Sequence, residues 1–261
     1  MRRIGVYAKS NEKSEKVKDR ILSFIKEKGL IFDNDNPEVV FVIGGDGTFL
    51  KAANNYLDKI DDIAFIGIKT GHLGYFYDFQ EEDIPYVFDH LDSLLKNVTK
   101  HLLIKAHLKN KDEESLLHAV NEIRIENPFH TLEAEVFLNG QKFEDFNGNG
   151  LMVATSIGSS AYNKSLGGAV VDSSIDIMEL TEIATIQSSV HRSLGSSFIL
   201  AKDSSILFRG DFKNVVVGYD NKTFPIGDFT EIEISLSNKR LSIIRPKDYF
   251  KFNVIKASFI D

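Results

Sequence analysis

The 261-residue chain contains no cysteine and no tryptophan, and only five prolines and three methionines. The missing cysteines exclude disulfides, thiolate metal sites and a cysteine nucleophile. No apolar run approaches the roughly 18 residues that a membrane helix requires. Met1 to Tyr7 reads as a short strand without the apolar segment of a secretory leader behind it. The expectation is a cytoplasmic protein with no membrane partner. Basic residues number 31 against 38 acidic ones, a formal net charge of −7. No Lys/Arg stripe stands out to track a phosphate backbone, so no nucleic-acid partner is expected. The lysines from Lys9 to Lys28 alternate with Glu and Asp, as on a solvated helix face. Two phosphate signatures are also missing. No G-x-G-x-x-G follows a strand, and Gly158 to Ser165 has Asn163 where a P-loop requires its second glycine.

What is present is an ordinary soluble composition, 43% hydrophobic and 26% charged, with twenty Phe. The length allows one large core or two moderate ones. Over the first hundred residues, strand-like runs (Ile4 to Ala8, Glu38 to Ile43, Ile63 to Ile68) alternate with amphipathic segments (Asn11 to Lys28, Thr48 to Leu57, Glu81 to Leu95). That alternation predicts a mostly parallel sheet covered on both faces. From about residue 98 short alternating runs take over: Leu102 to Leu108, Glu122 to Glu126, Leu132 to Leu138 and Lys142 to Phe146, then Ile206 to Arg209, Val215 to Tyr219, Glu231 to Leu236 and Arg240 to Ile244. Leu138-Asn139-Gly140-Gln141 is a hairpin signal, because Asn and Gly tolerate the positive φ of a type I′ turn. Asp176 to Ile183 reads as a helix-prone interruption. The prediction is an α/β domain over 1–97, with 245–261 returning to it, and an antiparallel β domain over 98–244.

The sharpest local feature is Val42-Ile43-Gly44-Gly45-Asp46-Gly47-Thr48, a buried strand that runs through three glycines and one Asp into a helix. Ligands of open α/β sheets bind beyond the carboxyl ends of the strands, and a helix N-terminus there favours phosphate. A reacting hydroxyl or a magnesium ion gives the Asp a reason to be among glycines. A tight turn with Asp46 as N-cap is the other reading. Four further clusters combine flexible backbone with polar or aromatic groups: Thr70 to Phe76, Asn121-Glu122, Gly148-Asn149-Gly150 and Gly158 to Gly168.

In order, GGDGT at 44–48, TGHLGYF at 70–76, NE at 121–122, GNGLMVATSIGSSAYNKSLGGA at 148–169 and LTEIA at 180–184 resemble the NAD kinase family. The KASFID ending also resembles the tail of its short bacterial members. The resemblance implies an N-terminal open α/β, Rossmann-like domain and a C-terminal antiparallel β-sandwich with NAD between them. It further implies a homo-oligomer, commonly a tetramer. The reaction implied is transfer of a phosphoryl group from ATP, or polyphosphate, to the 2′-hydroxyl of the adenosine ribose of NAD, giving NADP. A divalent metal, Mg²⁺, would assist without a dedicated protein site. Asp46 would accept the hydroxyl proton. Gly47, Tyr75 and Phe76 would border the dinucleotide, and Asn121 and Glu122 would hold adenine and ribose hydroxyls. Ser160, Ala161, Tyr162, Asn163, Lys164, Ser165 and Ala184 would complete the NAD site, partly from a neighbouring subunit. Asn149, Asp220 and Asn221 stand at further nucleotide-contacting positions.

Three positions depart from the family pattern. Asn147-Gly148-Asn149-Gly150 replaces Arg-Gly-Asp-Gly, so Asn149 keeps the carboxylate's shape but not its charge. Thr155-Ser156-Ile157-Gly158 replaces Thr-Pro-Ser/Thr-Gly, so Ile157 places an apolar side chain where a hydroxyl is expected. These changes motivate a non-catalytic dinucleotide sensor as one alternative. The shared Gly-Gly-Asp-Gly turn motivates a lipid or sugar kinase as another.

Overall fold

The computed structural model describes residues 1–71, 74–189, 191–250 and 252–260; His72, Leu73, Val190, Lys251 and Asp261, three of them in the TGHLGYF and KASFID segments, lie outside the described residues. The chain divides into two units, Met1–Lys100 with Arg240–Asp261, and His101–Lys239.

In the first unit, strands β1 (Arg3–Ala8), β2 (Ile31–Phe32), β3 (Val39–Gly44), β4 (Ala64–Lys69) and β5 (Phe79–Gln80) are parallel, in the order β2-β1-β3-β4-β5. All six residues of β3 are buried, which suits a strand covered on both faces. Helix α1 (Glu12–Glu27) starts at Asn11, whose side chain accepts the Ser14 N–H, and carries Glu12 and Glu15 in its first turn, where they favour the helix dipole. Its Val17, Ile21 and Ile25 pack with Val39, Phe41 and Ile43 in one core. Burying each such side chain contributes about 1.5–3 kcal/mol. Helix α2 (Asp46–Asn55) covers the other face, with Phe49 against Phe65 at 5.9 Å between ring centroids.

The predicted helix over Glu81 to Leu95 is broken. A 3₁₀ turn (Glu81–Asp83) leads into α3 (Ile84–Asp89), and α4 (Leu91–Leu94) follows after His90, whose ring nitrogen lies 2.9 Å from the Tyr86 carbonyl. The Tyr86 carbonyl also accepts the His90 N–H at 3.0 Å, and the two helices separate where the His90 backbone leaves helical geometry (φ −117°, ψ 15°).

In the second unit, the strands are β6 (Val98–Lys109, beginning in the first unit), β7 (Glu114–Ala119), β8 (Glu122–Glu126), β9 (Leu132–Leu138), β10 (Gln141–Gly148) and β11 (Gly150–Thr155). The short helix α5 (Tyr162–Ser165) follows, then β12 (Ile177–Ile183), β13 (Phe198–Ala201), β14 (Ser205–Arg209), β15 (Val216–Tyr219), β16 (Lys222–Pro225) and β17 (Glu231–Ile244). One antiparallel sheet has the order β13-β12-β11-β8-β15-β16; β10-β9-β14-β17 form the second, with β6 beside β17 and β7 beside β6. A single core joins Ile123, Leu151 and Val217 of the first sheet to Val136, Phe208 and Ile234 of the second. The unit is therefore antiparallel, as the alternating runs predicted, and the sandwich that the family resemblance implied. Asn139 (φ 50°) and Gly140 (φ 80°) form its predicted two-residue turn.

The helix expected over Asp176 to Ile183 is instead strand β12, between β11 and β13. Six consecutive pairs with β11 and the burial of Ile177, Met178 and Leu180 override the helix preference of the Met-Glu-Leu run. The two strands expected over Glu231 to Leu236 and Arg240 to Ile244 are the single strand β17. Its last residues belong to the first unit, where Ser242 and Ile243 pair parallel with Ala64 and Phe65. There the returning chain is anchored by Arg245, 1% exposed, whose guanidinium donates to Asp78 at 2.6 Å and Thr99 at 3.2 Å. Helix α6 (Asn253–Phe259) ends the described chain. Among the described residues no helix is long and apolar enough to cross a membrane.

Candidate active site

In the first unit, β3 ends at Gly44, Gly45 is the N-cap of α2, and Asp46 is the first helical residue. Asp46 is therefore not the N-cap. The Thr48 and Phe49 N–H groups close the first turn on the Gly45 carbonyl, at 2.7 and 3.2 Å. The Asp46 carboxylate instead accepts the Tyr75 N–H on Oδ2 at 3.0 Å and the Phe76 N–H on Oδ1 at 3.2 Å. Burial raises its proton affinity above the ordinary Asp value, and the two N–H groups restrain the rise. Beside it, the Tyr77 hydroxyl donates to the Gly45 carbonyl at 2.9 Å; burial first, then the Asp46 charge, push that phenol strongly up.

Gly47 is exposed and Tyr75 is half-buried. Phe76 differs from its expected place at a ligand surface. Its ring is 2% exposed and stacks on Phe49 at 4.5 Å, so it backs the turn while its N–H holds Asp46.

In the second unit, Glu122 opens β8, Asn121 directly precedes it, and both are buried. Asp220 at the β15–β16 turn holds them in place: its carboxylate takes the Val120 N–H at 2.9 Å and the Asn121 N–H at 2.7 Å. Burial pushes Asp220 up to about 6 against the pull of these N–H groups. Thr155 closes the other side, donating its hydroxyl to the Val120 carbonyl at 2.7 Å and accepting the Gly158 N–H at 3.1 Å. Glu122 is pushed up to about 8, by burial first and the Asp220 charge second. Its Oε2 is buried with no hydrogen-bond partner among the described residues. An orphaned buried acceptor beside a polar strand end is suited to receive a hydroxyl donor.

The Gly158 to Gly168 loop splits by role. Tyr162, Lys164 and Ser165 are exposed, and Ser160 and Ala161 are half-buried. Asn163 departs from the expectation that it contacts NAD. It is fully buried, donating to Glu179 Oε2 at 2.8 Å and accepting from the Thr181 hydroxyl at 2.8 Å, so its carboxamide is used in shaping the loop. Ala184 is exposed in a left-handed conformation (φ 46°) directly after β12. Asn149 is exposed, its carboxamide donating to the Asn127 carbonyl at 3.4 Å, and Asn221 is exposed after Asp220. Ile157 is 2% exposed, an apolar plug rather than a surface group. The structure brings Asp46, Tyr75 and Phe76 together in one unit. In the other it gathers Asn121, Glu122 and Asp220, with Tyr162 near them through Arg124.

Sequence reasoning misses Tyr77, Arg124, Thr155 and Glu179 as supports of this chemistry. For Arg124 a signal exists: Glu122-Ile123-Arg124-Ile125-Glu126 alternates with period two, which places three charges on one face of a strand.

The sequence pattern of the ATP-NAD kinase N-terminal domain matches residues 3–96, and that of the ATP-NAD kinase C-terminal domain matches residues 120–245. The NAD kinase of Streptococcus pneumoniae (strain 70585) is 34% identical over 265 residues, covering 99% of this chain and 96% of the relative. That of Lactobacillus acidophilus is 33% identical over 250 residues, covering 95% and 94%. Two solved structures share the fold over 100% of this chain. They are yeast NADH kinase complexed with NADH (TM-score 0.84, 18% identity, 89% of that chain) and an NAD kinase from Archaeoglobus fulgidus in complex with ATP (TM-score 0.78, 21% identity, 100% of that chain). With both domain patterns matched in order and relatives above 30% identity over nearly its whole length, the chain belongs to the ATP-NAD kinase family.

Proposed function

We propose that this protein transfers the γ-phosphoryl group of ATP to the 2′-hydroxyl of the adenosine ribose of NAD, giving NADP and ADP. The observation that carries the reading is the Asp46 carboxylate, fixed by two backbone N–H groups at the start of α2 within a full-length match to this kinase family. In the reaction the O2′–P bond forms, the bond from Pγ to the bridging oxygen breaks, and the hydroxyl proton passes to Asp46. Phosphoryl transfer asks a protein mostly for positioning and charge compensation. A carboxylate with raised proton affinity is the better acceptor for a ribose hydroxyl, a weak nucleophile at neutral pH.

Gly47, with its N–H at the start of α2, would approach the phosphates, and Tyr75 would border the dinucleotide. Phe76 would act through Asp46. Asn121 and Glu122 would hold adenine and ribose hydroxyls, with Asp220 as their support and Asn221 beside it. Ser160, Ala161, Tyr162, Lys164, Ser165 and Ala184 would complete the NAD site, partly in a neighbouring subunit of a homotetramer. Asn163 would shape that loop. Asn149 would offer a neutral carboxamide in place of the family carboxylate. The NAD-binding domain would be 98–244, and the α/β domain 1–97 with the returning 245–261. Both oxygens of Asp46 already accept an N–H, and no group of three potential metal ligands accompanies it among the described residues. Mg²⁺ is proposed as part of the donor substrate, Mg²⁺-ATP, with polyphosphate as a second donor. The proposed location is the cytoplasm.

The test is incubation of purified protein with NAD, ATP and Mg²⁺, with the product identified by phosphorus NMR. A new ribose 2′-phosphate monoester is expected. NAD bound but left unphosphorylated supports the sensor alternative instead.

A further inference from the structure

Strand β8 turns Ile123 and Ile125 into the core of the second unit and sets Glu122, Arg124 and Glu126 in a row on its other face. Arg124 lies opposite Gly218 of β15 and Met152 of β11. Its guanidinium lies against Gly218: a Cβ there would stand 2.5 Å from Arg124 Cζ and 2.7 Å from Nε. The absence of a side chain at 218 is thus what lets the guanidinium reach along the sheet. From that seat Nε donates to Glu126 Oε2 at 2.6 Å and Nη1 to the Asp220 carbonyl at 3.4 Å. Nη1 also stands 3.6 Å from Glu122 Oε1, and Cζ lies 5.6 Å from the centre of the Tyr162 ring. One guanidinium thus ties a buried carboxylate to an exposed aromatic ring. The free Oε2 of Glu122 points to a ligand that brings a hydroxyl donor, and the 39% exposed Tyr162 ring to one that brings a flat face.

We propose that Arg124 is a positioning residue for the dinucleotide, orienting the Glu122 carboxyl group and holding the Tyr162 ring beside it, so that a nucleoside meets both. The inference rests on the reading that Glu122 and Tyr162 contact NAD. It concerns binding rather than phosphoryl transfer.

The electrostatics agree with the geometry. The charged groups around Glu122 are Asp220 from the turn after β15, and Arg124 and Glu126 on its own strand; its partner on β11 is Ala154. Burial, Asp220 and Glu126 push Glu122 up, and Arg124 alone pulls it down. Without that positive charge Glu122 keeps its proton to higher pH. One of its oxygens then becomes a donor and is lost as an acceptor for a ribose hydroxyl. Lysine retains the charge but not the planar fork that spans Glu126 and Tyr162.

The experiment measures NAD dissociation constants by calorimetry between about pH 6 and 9, with turnover alongside, for the full chain, Arg124→Gln and Arg124→Lys. Wild-type binding is expected to tighten as pH rises through about 8, where Glu122 ionises. Arg124→Gln should weaken binding about tenfold at neutral pH and move the inflection upward, raising KM with kcat nearly unchanged. Arg124→Lys should leave the inflection in place yet bind several-fold more weakly than wild type. An Arg124→Gln protein with wild-type affinity and an unmoved inflection would overturn the inference, as would weakening equal at every pH. Should Arg124→Gln fail to fold, Arg124→Lys with unchanged affinity overturns it as well. Arg124-dependent binding without NADP formation would support this inference while removing the kinase reading.

Discussion

Asn163 donates its carboxamide to Glu179 at 2.8 Å, and neither residue is accessible to solvent. Glu179 Oε1 takes the Ala169 N–H at 2.7 Å, so one buried carboxyl group fastens the loop to β12 at both Asn163 and Ala169. Asn163→Ala removes a side-chain donor from that carboxyl group and leaves a buried acceptor short of a partner. A loss of about 3 kcal/mol in unfolding free energy is expected. Urea unfolding measures it, and a loss below about 1 kcal/mol would show that the pair does not hold the loop.

Gly158 is similarly constrained by the strand next to it. A Cβ at position 158 would stand 2.0 Å from the Asn121 carbonyl oxygen, so the backbone must separate to accept any side chain. Gly158→Ala is expected to cost about 2 kcal/mol or more and to weaken NAD binding about tenfold, since Asn121 and Glu122 move with the strand. Thermal unfolding and calorimetry report the two effects. Unchanged NAD affinity in a folded variant would detach this backbone contact from the site.

Glu144 on β10 provides a pH test of stability. Burial first, and Glu182 second, push its carboxyl up to about 7 from an ordinary value of 4.5. The folded chain therefore keeps this proton after the unfolded chain has released it. The stabilising contribution is complete below about 4.5 and is lost as pH rises to about 7. Glu144→Gln removes that dependence. At pH 8 its Tm should exceed wild type by ~2–4 °C, a figure discounted for solvent screening at a partly exposed group, and the two should converge at pH 4.5. Parallel Tm curves for the two proteins would contradict the assignment.

The parts of this architecture that are local were legible in the sequence. The buried β3 run, the glycines after it and the start of α2 lie within a dozen residues, and Asn139-Gly140 states its own turn. The ordered motifs also pointed to the family to which the chain belongs. What was hidden depends on distant partners. Asn163 reads as a polar loop residue until Glu179 and Thr181 come to it from a strand that itself reads as a helix. Phe76 looks like a ligand-facing aromatic until Phe49 stacks on it from α2. Asp46 looks like an N-cap until the N–H groups of Tyr75 and Phe76, about thirty residues away, take its carboxylate. In each case pairing across the fold, rather than local preference, decides what a side chain is for.

The most direct test of the account is the rate of NADP formation from NAD and Mg²⁺-ATP by wild type and by Asp46→Asn, followed with an NADP-specific dehydrogenase. An Asn at this position keeps the size of the side chain and one carbonyl acceptor for the Tyr75 and Phe76 N–H groups, so the folded first unit and NAD binding should persist. Wild type is expected to turn over and Asp46→Asn to lose about 10²–10⁴-fold in kcat, the range of a positioned general base. An Asp46→Asn protein within a few-fold of the wild-type rate would contradict the account.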